Sequence, residues 1–386
     1  MKGLKVRKSC FPSRVLLLSG LLAGTISCSK FIIKTTERSE RNWTQFGGTP
    51  TRTNLSPETI PLPLELAWTF KATSAIGPSL IVIDGVVYFG TLDGKVFAVN
   101  ITTGEKLEQK KMDLESTCAF HEGYLLIARR YGEETLYCLD LSTGKFKWEI
   151  NAGDIASEPL IANGWIYISA LYKHVDRYSL TTGSKSWSYE TQGQCHSSPA
   201  LAGQTLVVGC DDGTVYALNE NTGKLIWKYQ TKGAIYATPA IWKDKVFIGS
   251  LDRTFYALNL AEGSLSWKYA TSGQIYQSCA VNEEFVLFGS NDYYLYCLNQ
   301  NNGQLQWRYQ AKSLVSTSPL IAGDKVFFGS LDHHYYCLSL KDGQLLWSYK
   351  TRGRVRTSPV IWQGYLLGAS EDNYLYAFKK ADSFKN

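Results

Sequence analysis

A repeat of about 40 residues runs through most of the chain and constrains its fold more than any other feature. Glycines typical of turns recur in steps of 39 or 40 residues, at Gly104, Gly144, Gly183, Gly223, Gly263, Gly303 and Gly343. Tryptophans keep the same spacing at Trp148, Trp187, Trp227, Trp267, Trp307 and Trp347. Trp68 lies two periods before Trp148, and Glu108 occupies the position between them. A fixed period of this length indicates a repeat architecture.

Each repeat contains four short runs of β-branched and aromatic residues, bounded by Gly, Asp or Asn. In the unit that starts at Ala237, the pattern predicts strands A to D over 238–242, 246–250, 255–259 and 264–269. Four short antiparallel strands in about 40 residues are typical of one β-propeller blade. We expect each repeated tryptophan, on strand D, to pack between adjacent blades.

The strand A position occurs eight times, near Pro78, Cys118, Pro159, Pro199, Pro239, Cys279, Pro319 and Pro359. The sequence therefore predicts an all-β fold, an eight-bladed β-propeller with four antiparallel strands per blade. The last repeat lacks its Trp strand, and the strand around Trp68 is unused. We expect this N-terminal strand to complete the last blade and close the ring. Blade 2 has a long B–C turn (129–134) and blade 3 is one residue short. Each irregularity has two explanations, a functional role or sequence drift within the repeat.

The first 27 residues are typical of a targeting segment. A basic head of five Lys and Arg without acidic residues precedes an apolar run from Val15 to Ile26, which is too short to span a bilayer. The segment ends before Cys28 and resembles a bacterial lipoprotein signal, in which that cysteine is lipidated. An ordinary secretory signal cut nearby is the alternative, since Thr25 stands where lipoprotein signals usually have Leu.

These features divide the chain into a signal peptide (1–27), a polar tether (28–41), the propeller (42–380) and a short tail (381–386). Removing the signal peptide lowers the formal net charge from +6 to +1. A nearly neutral mature chain has no electrostatic footprint for nucleic acid.

The units from Val215 and Tyr335, "VYALNENTGKLIWKYQT" and "YYCLSLKDGQLLWSYKT", resemble the pyrroloquinoline-quinone-like propeller repeat. The segment from Asn42 to Ser56, "NWTQFGGTPTRTNLS", is similar to the opening segment of such propellers. The resemblance implies one of two branches: quinoprotein dehydrogenases, which bind the quinone and calcium in the central channel, or cofactor-free propeller lipoproteins, such as that of the outer-membrane barrel-assembly machinery. In length, leader and blade number the chain is similar to the second branch, and it has no adjacent cysteine pair of the dehydrogenase kind.

Potential catalytic and metal-binding residues have structural explanations. The recurrent acids occupy one turn position in separate blades, where Asp stabilises hairpins: Asp93, Asp212, Asp252, Asp292, Asp332 and Asp372. The five histidines lack zinc-motif spacing. Most of the nine cysteines fall on packing positions in different blades, and only Cys195 and Cys210 could form a disulfide, which spacing alone leaves open. We therefore expect no catalytic residue, no metal site and no cofactor.

The candidate binding surface lies at the channel mouth, where the D–A connections and the B–C turns share one end of the blades. The repeat places Ile76, Ser116, Ala156, His196, Tyr236, Tyr276, Ser316 and Arg356 immediately before strand A. This position keeps no single residue type, which suits a surface for an irregular partner, although unconstrained loop tips vary as well. His196, Tyr236, Tyr276 and Arg356, flanked by Gln277 and Arg354, offer groups that are enriched at interface hot spots.

Three functions are compatible with this sequence. The favoured one is a non-enzymatic scaffold that is lipid-anchored to the outer membrane, faces the periplasm or the cell surface, and binds envelope proteins such as an outer-membrane assembly complex. The second is a quinone-dependent dehydrogenase-like propeller. The third is a small-ligand or sugar sensor at the channel mouth.

Overall fold

The computed structural model describes residues 31–33, 39, 41–112 and 115–382, and every regular element in these ranges is a β-strand. The opening strands are β1 (Leu55–Ser56) and β2 (Leu64–Lys71). Blades 1 to 4 consist of β3 (Ile81–Ile83), β4 (Val86–Gly90), β5 (Lys95–Asn100) and β6 (Lys106–Lys111); β7 (Ser116–His121), β8 (Tyr124–Arg129), β9 (Leu136–Asp140) and β10 (Lys145–Ile150); β11 (Leu160–Ala162), β12 (Trp165–Ala170), β13 (His174–Ser179) and β14 (Lys185–Glu190); and β15 (Ala200–Ala202), β16 (Thr205–Gly209), β17 (Thr214–Asn219) and β18 (Leu225–Gln230).

The second half of the ring continues the pattern. Blades 5 to 8 consist of β19 (Ala240–Trp242), β20 (Lys245–Gly249), β21 (Thr254–Asn259) and β22 (Leu265–Ala270); β23 (Ala280–Val281), β24 (Phe285–Gly289), β25 (Tyr294–Asn299) and β26 (Leu305–Gln310); β27 (Leu320–Ala322), β28 (Lys325–Ser330), β29 (His334–Ser339) and β30 (Leu345–Lys350); and β31 (Val360–Trp362), β32 (Tyr365–Ser370) and β33 (Tyr374–Lys380) with β2. The eight-bladed, four-stranded propeller predicted from the repeat is confirmed.

The N-terminal strand closes the ring. Strand β2 pairs antiparallel with β33, and Trp68 lies opposite Ala377 just as Trp227 lies opposite Ala217 within blade 4. Blade 8 therefore obtains its fourth and outermost strand from the beginning of the chain, so it is complete without a Trp strand at the C-terminal end.

The shared spacing of Trp and Gly reflects one interlocking contact between neighbouring blades. The Trp227 ring of blade 4 lies against Gly263 in the C–D turn of blade 5, and its Nε1 donates to Leu260 O at 2.8 Å. Gly263 has φ +70°, and a Cβ there would come within 2.4 Å of the indole. Glycine is required both for the backbone conformation and for the close approach. Five other interfaces between blades repeat this contact, at Trp68–Gly104, Trp148–Gly183, Trp187–Gly223, Trp267–Gly303 and Trp307–Gly343.

Strand A is shorter than its sequence pattern predicts. In blade 5 it begins at Ala240 rather than at residue 238, because Pro239 has no N–H to donate and Thr238 bonds to its neighbouring blades instead. The other three predicted strands of that blade match to within one residue.

Candidate binding surface at the channel mouth

The segment 43–56 closes the channel at the end opposite the mouth. It follows the inner A strands from blade to blade and accepts one backbone N–H from a matching position in blade after blade: Val82 N to Trp43 O, Phe120 N to Thr44 O, Leu201 N to Pro50 O, Ile241 N to Thr51 O, Val281 N to Thr53 O and Ile321 N to Asn54 O, at 2.8–3.0 Å. Strand β1 then pairs in parallel with β27. The channel is therefore a well with a floor, and we call this segment the floor segment.

Arg52 is the central residue of the floor segment and is fully buried. Its guanidinium donates to Pro199 O at 3.1 Å and Pro159 O at 3.0 Å, and also to Phe46 O. Burial lowers the pKa of Arg52 to about 10, with Glu158 acting in the opposite direction. The side chain ties the floor to blades 3 and 4.

Above the floor, polar side chains that precede the strand A proline line the well. Backbone N–H groups donate to the hydroxyl one blade further on, from Glu158 to Ser198, Ser198 to Thr238, Thr238 to Ser278 and Ser318 to Ser358, at 2.9–3.2 Å. Glu158 replaces the hydroxyl residue in blade 3, and its carboxylate accepts from Ser198 Oγ at 2.6 Å. These bonds satisfy backbone groups where strand A has not yet begun pairing.

At the mouth, three of the predicted residues form a contiguous aromatic row across blades 4, 5 and 6. The His196 and Tyr236 rings meet edge to face with centroids 4.9 Å apart, and the Tyr236 and Tyr276 rings lie 5.7 Å apart. All three are half-buried, and burial raises the pKa of Tyr236, reinforced by the negative charge of Asp211. We call His196, Tyr236 and Tyr276 the aromatic row.

A disulfide fixes the first member of this row. Cys195, next to His196, is bonded to Cys210 at the end of β16, with a Cα–Cα distance of 4.2 Å. The pairing that the sequence left open is therefore present. It fastens the D–A connection of blade 4 to strand B directly beneath the mouth.

The other predicted residues lie beyond the aromatic row, in blades 6 and 8. Glu371 lies between the two arginines of blade 8, accepting from Arg356 Nε, with Arg354 Nε 4.0 Å away. Both arginine side chains remain more than half exposed. Tyr276, Gln277 and Arg356 line one cavity of about 230 Å³ above blade 7. The structure therefore brings all six predicted binding residues onto the same face.

The mouth positions assigned to blades 1 and 2 were wrong. Ile76 is buried and bridges to Thr91, as Val355 bridges to Ser370, so the residue equivalent to Arg356 is Gly77. The proline-based spacing fails there because Pro78 lies two residues before the usual proline position. In blade 2, Ser116 already belongs to strand β7, which pairs with β8 from Ser116 onward, and the residue before it is Glu115.

Sequence reasoning missed a set of charge pairs at the mouth, each formed by two residues of the same blade. His196 Nε2 lies 3.5 Å from Asp211, and Glu115 pairs with Arg130 at 3.1 Å. Arg356 and Glu371 are the third pair. Burial raises the pKa of Asp211, and His196 opposes that shift. Each pair is 15 residues apart in sequence, a spacing that could have revealed them.

The recurrent aspartates act as turn residues, as predicted. In blade 5, Asp252 accepts from Thr254 N at 2.9 Å and from the Tyr256 hydroxyl at 2.7 Å. The aspartates of blades 4, 6, 7 and 8 accept from the equivalent tyrosine of their own blade, and Asp93 of blade 1 accepts from Thr91 and Lys95 instead. Over the described ranges, no three His, Cys, Asp or Glu side chains are grouped as a metal ion would require.

Cys28 lies outside the described residues, so its lipidation stays a prediction. In the described part of the chain, no helix is long and apolar enough to cross a membrane.

The protein is a β-propeller, with a channel that has a floor at one end and an aromatic, cationic mouth at the other. The family model described as "Beta-alanine-activating enzyme, beta-propeller" matches residues 112–325, more than half of the sequence. The chain belongs to this β-propeller family, which also bears out the resemblance to the quinone-type repeat. No curated protein matches the sequence.

Solved structures with the same fold include a designed protein, BamB and an alcohol dehydrogenase. BamB from Moraxella catarrhalis is 18% identical, with a TM-score of 0.69 over 82% of this chain and 100% of that one. The quinohemoprotein alcohol dehydrogenase ADHIIG from Pseudomonas putida HK5 is 15% identical, with a TM-score of 0.77 over 88% of this chain and 80% of that one. The computationally designed Ika8 protein is 18% identical, with a TM-score of 0.74 over 82% and 99%. At these identities the likeness shows the fold alone.

Proposed function

We propose that this protein is a non-enzymatic scaffold of the bacterial cell envelope that binds partner proteins through the mouth of its propeller. The observation that carries the proposal is the aromatic row, which lies at a position where the repeat keeps no single residue type. Packing positions in this repeat keep one residue type, as the interlocked Trp and Gly do. A half-buried row of rings beside two exposed arginines has the composition of a protein-binding hot spot.

The surroundings of the aromatic row support the same function. Tyr131, Tyr172 and Tyr293, all exposed, lie in B–C turns on the mouth face. Tyrosine supplies a large, rigid contact area at a low entropic cost, which is why binding surfaces are rich in it. The disulfide under His196 holds part of this surface in place before binding, which reduces the cost of association.

The alternatives require features that these residues do not supply. A quinone cofactor with calcium needs a cavity of ligand size and six to eight oxygen ligands, whereas small-molecule pockets measure about 300–1,000 Å³. The cavity at the mouth is about 230 Å³, and the aspartates of the repeat are bonded inside separate blades. The residues at the mouth therefore do not fit that cofactor pair. A cavity of this size at the mouth is also small for a sugar ligand, which disfavours a sugar sensor that binds there.

The location and partner class belong to this proposal. The protein is exported, lipidated at Cys28 and held at the outer membrane, and its partners are envelope proteins that act in outer-membrane protein assembly. Support comes from the leader sequence and from the shared fold with BamB. Mass spectrometry of membrane-extracted protein should show a lipid-modified N-terminal Cys28. A soluble mature protein with another N-terminus would reject the anchor.

Partner capture tests the binding surface. We expect replacement of Tyr236, Tyr276 and Arg356 by Ala to reduce capture of envelope proteins by at least tenfold while the melting temperature is kept. The matched control replaces the exposed rim leucines Leu225 and Leu265 by Ala, which should leave capture unchanged. Full retention by the mouth variant would place the binding surface elsewhere.

A further inference from the structure

The cavity above blade 7 has a shape and a composition of its own. Ser316, the mouth residue of blade 7, is small and buried, and its hydroxyl donates to Val355 O at 2.5 Å. The mouth residues on either side, Tyr276 and Arg356, are large. A gap of about 230 Å³ therefore opens between blades 6 and 8. We call it the blade 7 pocket.

The lining of this pocket combines apolar and polar residues. Leu314, Val315 and Leu331 of blade 7 lie along it, and Gln277 and Asn291 of blade 6 add amide groups. The volume is below that of pockets for drug-sized ligands, so it suits one or two side chains of a partner. Interface anchors fill pockets of this kind and account for much of the binding energy.

The blade 8 side of the blade 7 pocket carries positive charge. In blades 2 and 4, one cationic or titratable residue faces one acid at the mouth, as His196 faces Asp211. In blade 8, two arginines share Glu371, which leaves this cluster with an excess of one positive charge. Arg356 uses its Nε for Glu371 and is more than half exposed. An acidic group on the partner would complete this cluster with charge-assisted hydrogen bonds.

We infer that the blade 7 pocket receives an aliphatic or aromatic side chain from an extended segment of the partner, and that Arg356 pairs with an acidic residue adjacent to it. The inference rests on the proposed protein-binding function and specifies the chemistry that it recognises. Contact with Leu314 and Leu331 favours the large side chain, and the arginine selects the neighbouring acid.

The probe is an immobilised array of Gly/Ser dodecapeptides that carry every dipeptide at their centre, incubated with the mature protein. The strongest signals should come from dipeptides that combine Asp or Glu with Leu, Ile, Phe, Tyr or Trp. Their Asn and Gln counterparts should bind at least fivefold less. An array with no preference for such pairs would overturn the inference.

Two substitutions assign the preferences to the pocket. Arg356→Gln should remove the preference for the acid, whereas Lys232→Gln, an exposed cation on the same face in blade 5, should not. Ser316→Phe should fill the pocket and abolish the preference for the large side chain. Leu331→Ser tests the same point in the half-buried turn in case Ser316→Phe does not fold.

These outcomes separate the pocket from the proposed function. If the triple mouth variant loses partner capture but wild type and Ser316→Phe give the same array, the mouth binds proteins without using this pocket. Unchanged preferences in both Ser316→Phe and Leu331→Ser would therefore contradict the inference.

Discussion

Blades 4 to 8 are close copies of one another, whereas blades 1 to 3 each depart from their pattern in a different way. In every one of blades 4 to 8, a strand C tyrosine donates its hydroxyl to the aspartate of the preceding B–C turn. The five pairs are Tyr216–Asp212, Tyr256–Asp252, Tyr296–Asp292, Tyr336–Asp332 and Tyr376–Asp372, at 2.6–2.8 Å. Each pair closes the turn and satisfies the hydroxyl of a buried tyrosine.

Blade 3 has the two residue types in exchanged positions. Tyr172 stands in the turn where its siblings have Asp, and Asp176 stands in strand C where they have Tyr. Asp176 is fully buried and contacts Lys185 at 2.8 Å and His174 at 3.0 Å. Tyr172, without the usual partner, is 63% exposed on the mouth face.

Blades 1 and 2 depart in other ways. Blade 1 has Phe97 at the tyrosine position, and in blade 2 the Tyr137 hydroxyl accepts from Arg129 at 2.6 Å. The Trp–Gly interlock, in contrast, persists in blade 2, in blade 3 and at Trp68. Packing between blades is therefore more constrained than turn chemistry, and the freedom in the turns allows exposed tyrosines to accumulate on the mouth face.

The largest expected effect concerns the closure that joins the irregular part of the ring to the regular one. Deleting residues 60–71 removes β2 and exposes the edge of β33. An unpaired edge strand promotes aggregation, and we expect aggregation or a melting temperature lowered by more than about 10 °C. Thermal unfolding followed by circular dichroism is the measurement, and an unchanged melting temperature would contradict closure by this strand.

The interlock between blades should come next in size. Trp227→Ala removes a buried ring from between blades 4 and 5, which should lower the free energy of unfolding by about 3–5 kcal/mol. Blade 1 provides the control, because Glu108 occupies the Trp position there, and Glu108→Ala should change stability by less than about 0.5 kcal/mol. Equal effects in chemical denaturation would mean that the interlock does not carry the packing.

The buried acid of blade 3 should make stability depend on pH. Hydrogen bonds from His174 and Lys185 outweigh burial and lower the pKa of Asp176 to about 2. Its contribution is therefore complete above the unfolded-state pKa of about 4 and decreases as pH falls toward 2. Between pH 6 and pH 3, wild type should lose about 1 kcal/mol more stability than Asp176→Asn. Parallel pH profiles for the two proteins would refute this role.

The smallest effect concerns a single tyrosine–aspartate pair of the regular blades. Tyr256→Phe removes one neutral-to-charged hydrogen bond at the half-exposed turn of blade 5, which should cost about 1 kcal/mol. A double-mutant cycle with Asp252→Ala isolates the pair, and the coupling energy should account for most of that loss. A coupling energy near zero would show that the turn backbone alone holds Asp252.

Much of the architecture could be predicted because the repeat exposes it directly. Gly263 and Trp227 recur with their equivalents at one spacing because a single contact needs both. The unused strand at Trp68 predicted the closure because the last repeat had no Trp strand of its own. Periodicity gives no information about a residue that does not repeat. Arg52 is such a residue, and nothing in the neighbouring sequence shows that its side chain donates hydrogen bonds to blades 3 and 4.

The candidate site was predictable in its members but not in its contacts. The repeat placed His196, Tyr236 and Tyr276 on one face because equivalent positions of adjacent blades are neighbours. The cavity above blade 7 depends on side-chain size at three successive mouth positions, and the shared Glu371 depends on rotamers. The assignments of Ile76 and Ser116 failed because the proline is displaced in blade 1 and strand A begins its pairing earlier in blade 2.

The central claim is that the mouth, rather than the floor side, meets the partner. Site-specific photo-crosslinking in living cells tests it most directly, with a benzophenone side chain placed at Tyr236 in the mouth or at Asn302 in a C–D turn on the opposite side. The account predicts a discrete crosslinked protein adduct from position 236 and none from position 302. An adduct from position 302 with none from position 236 would contradict it.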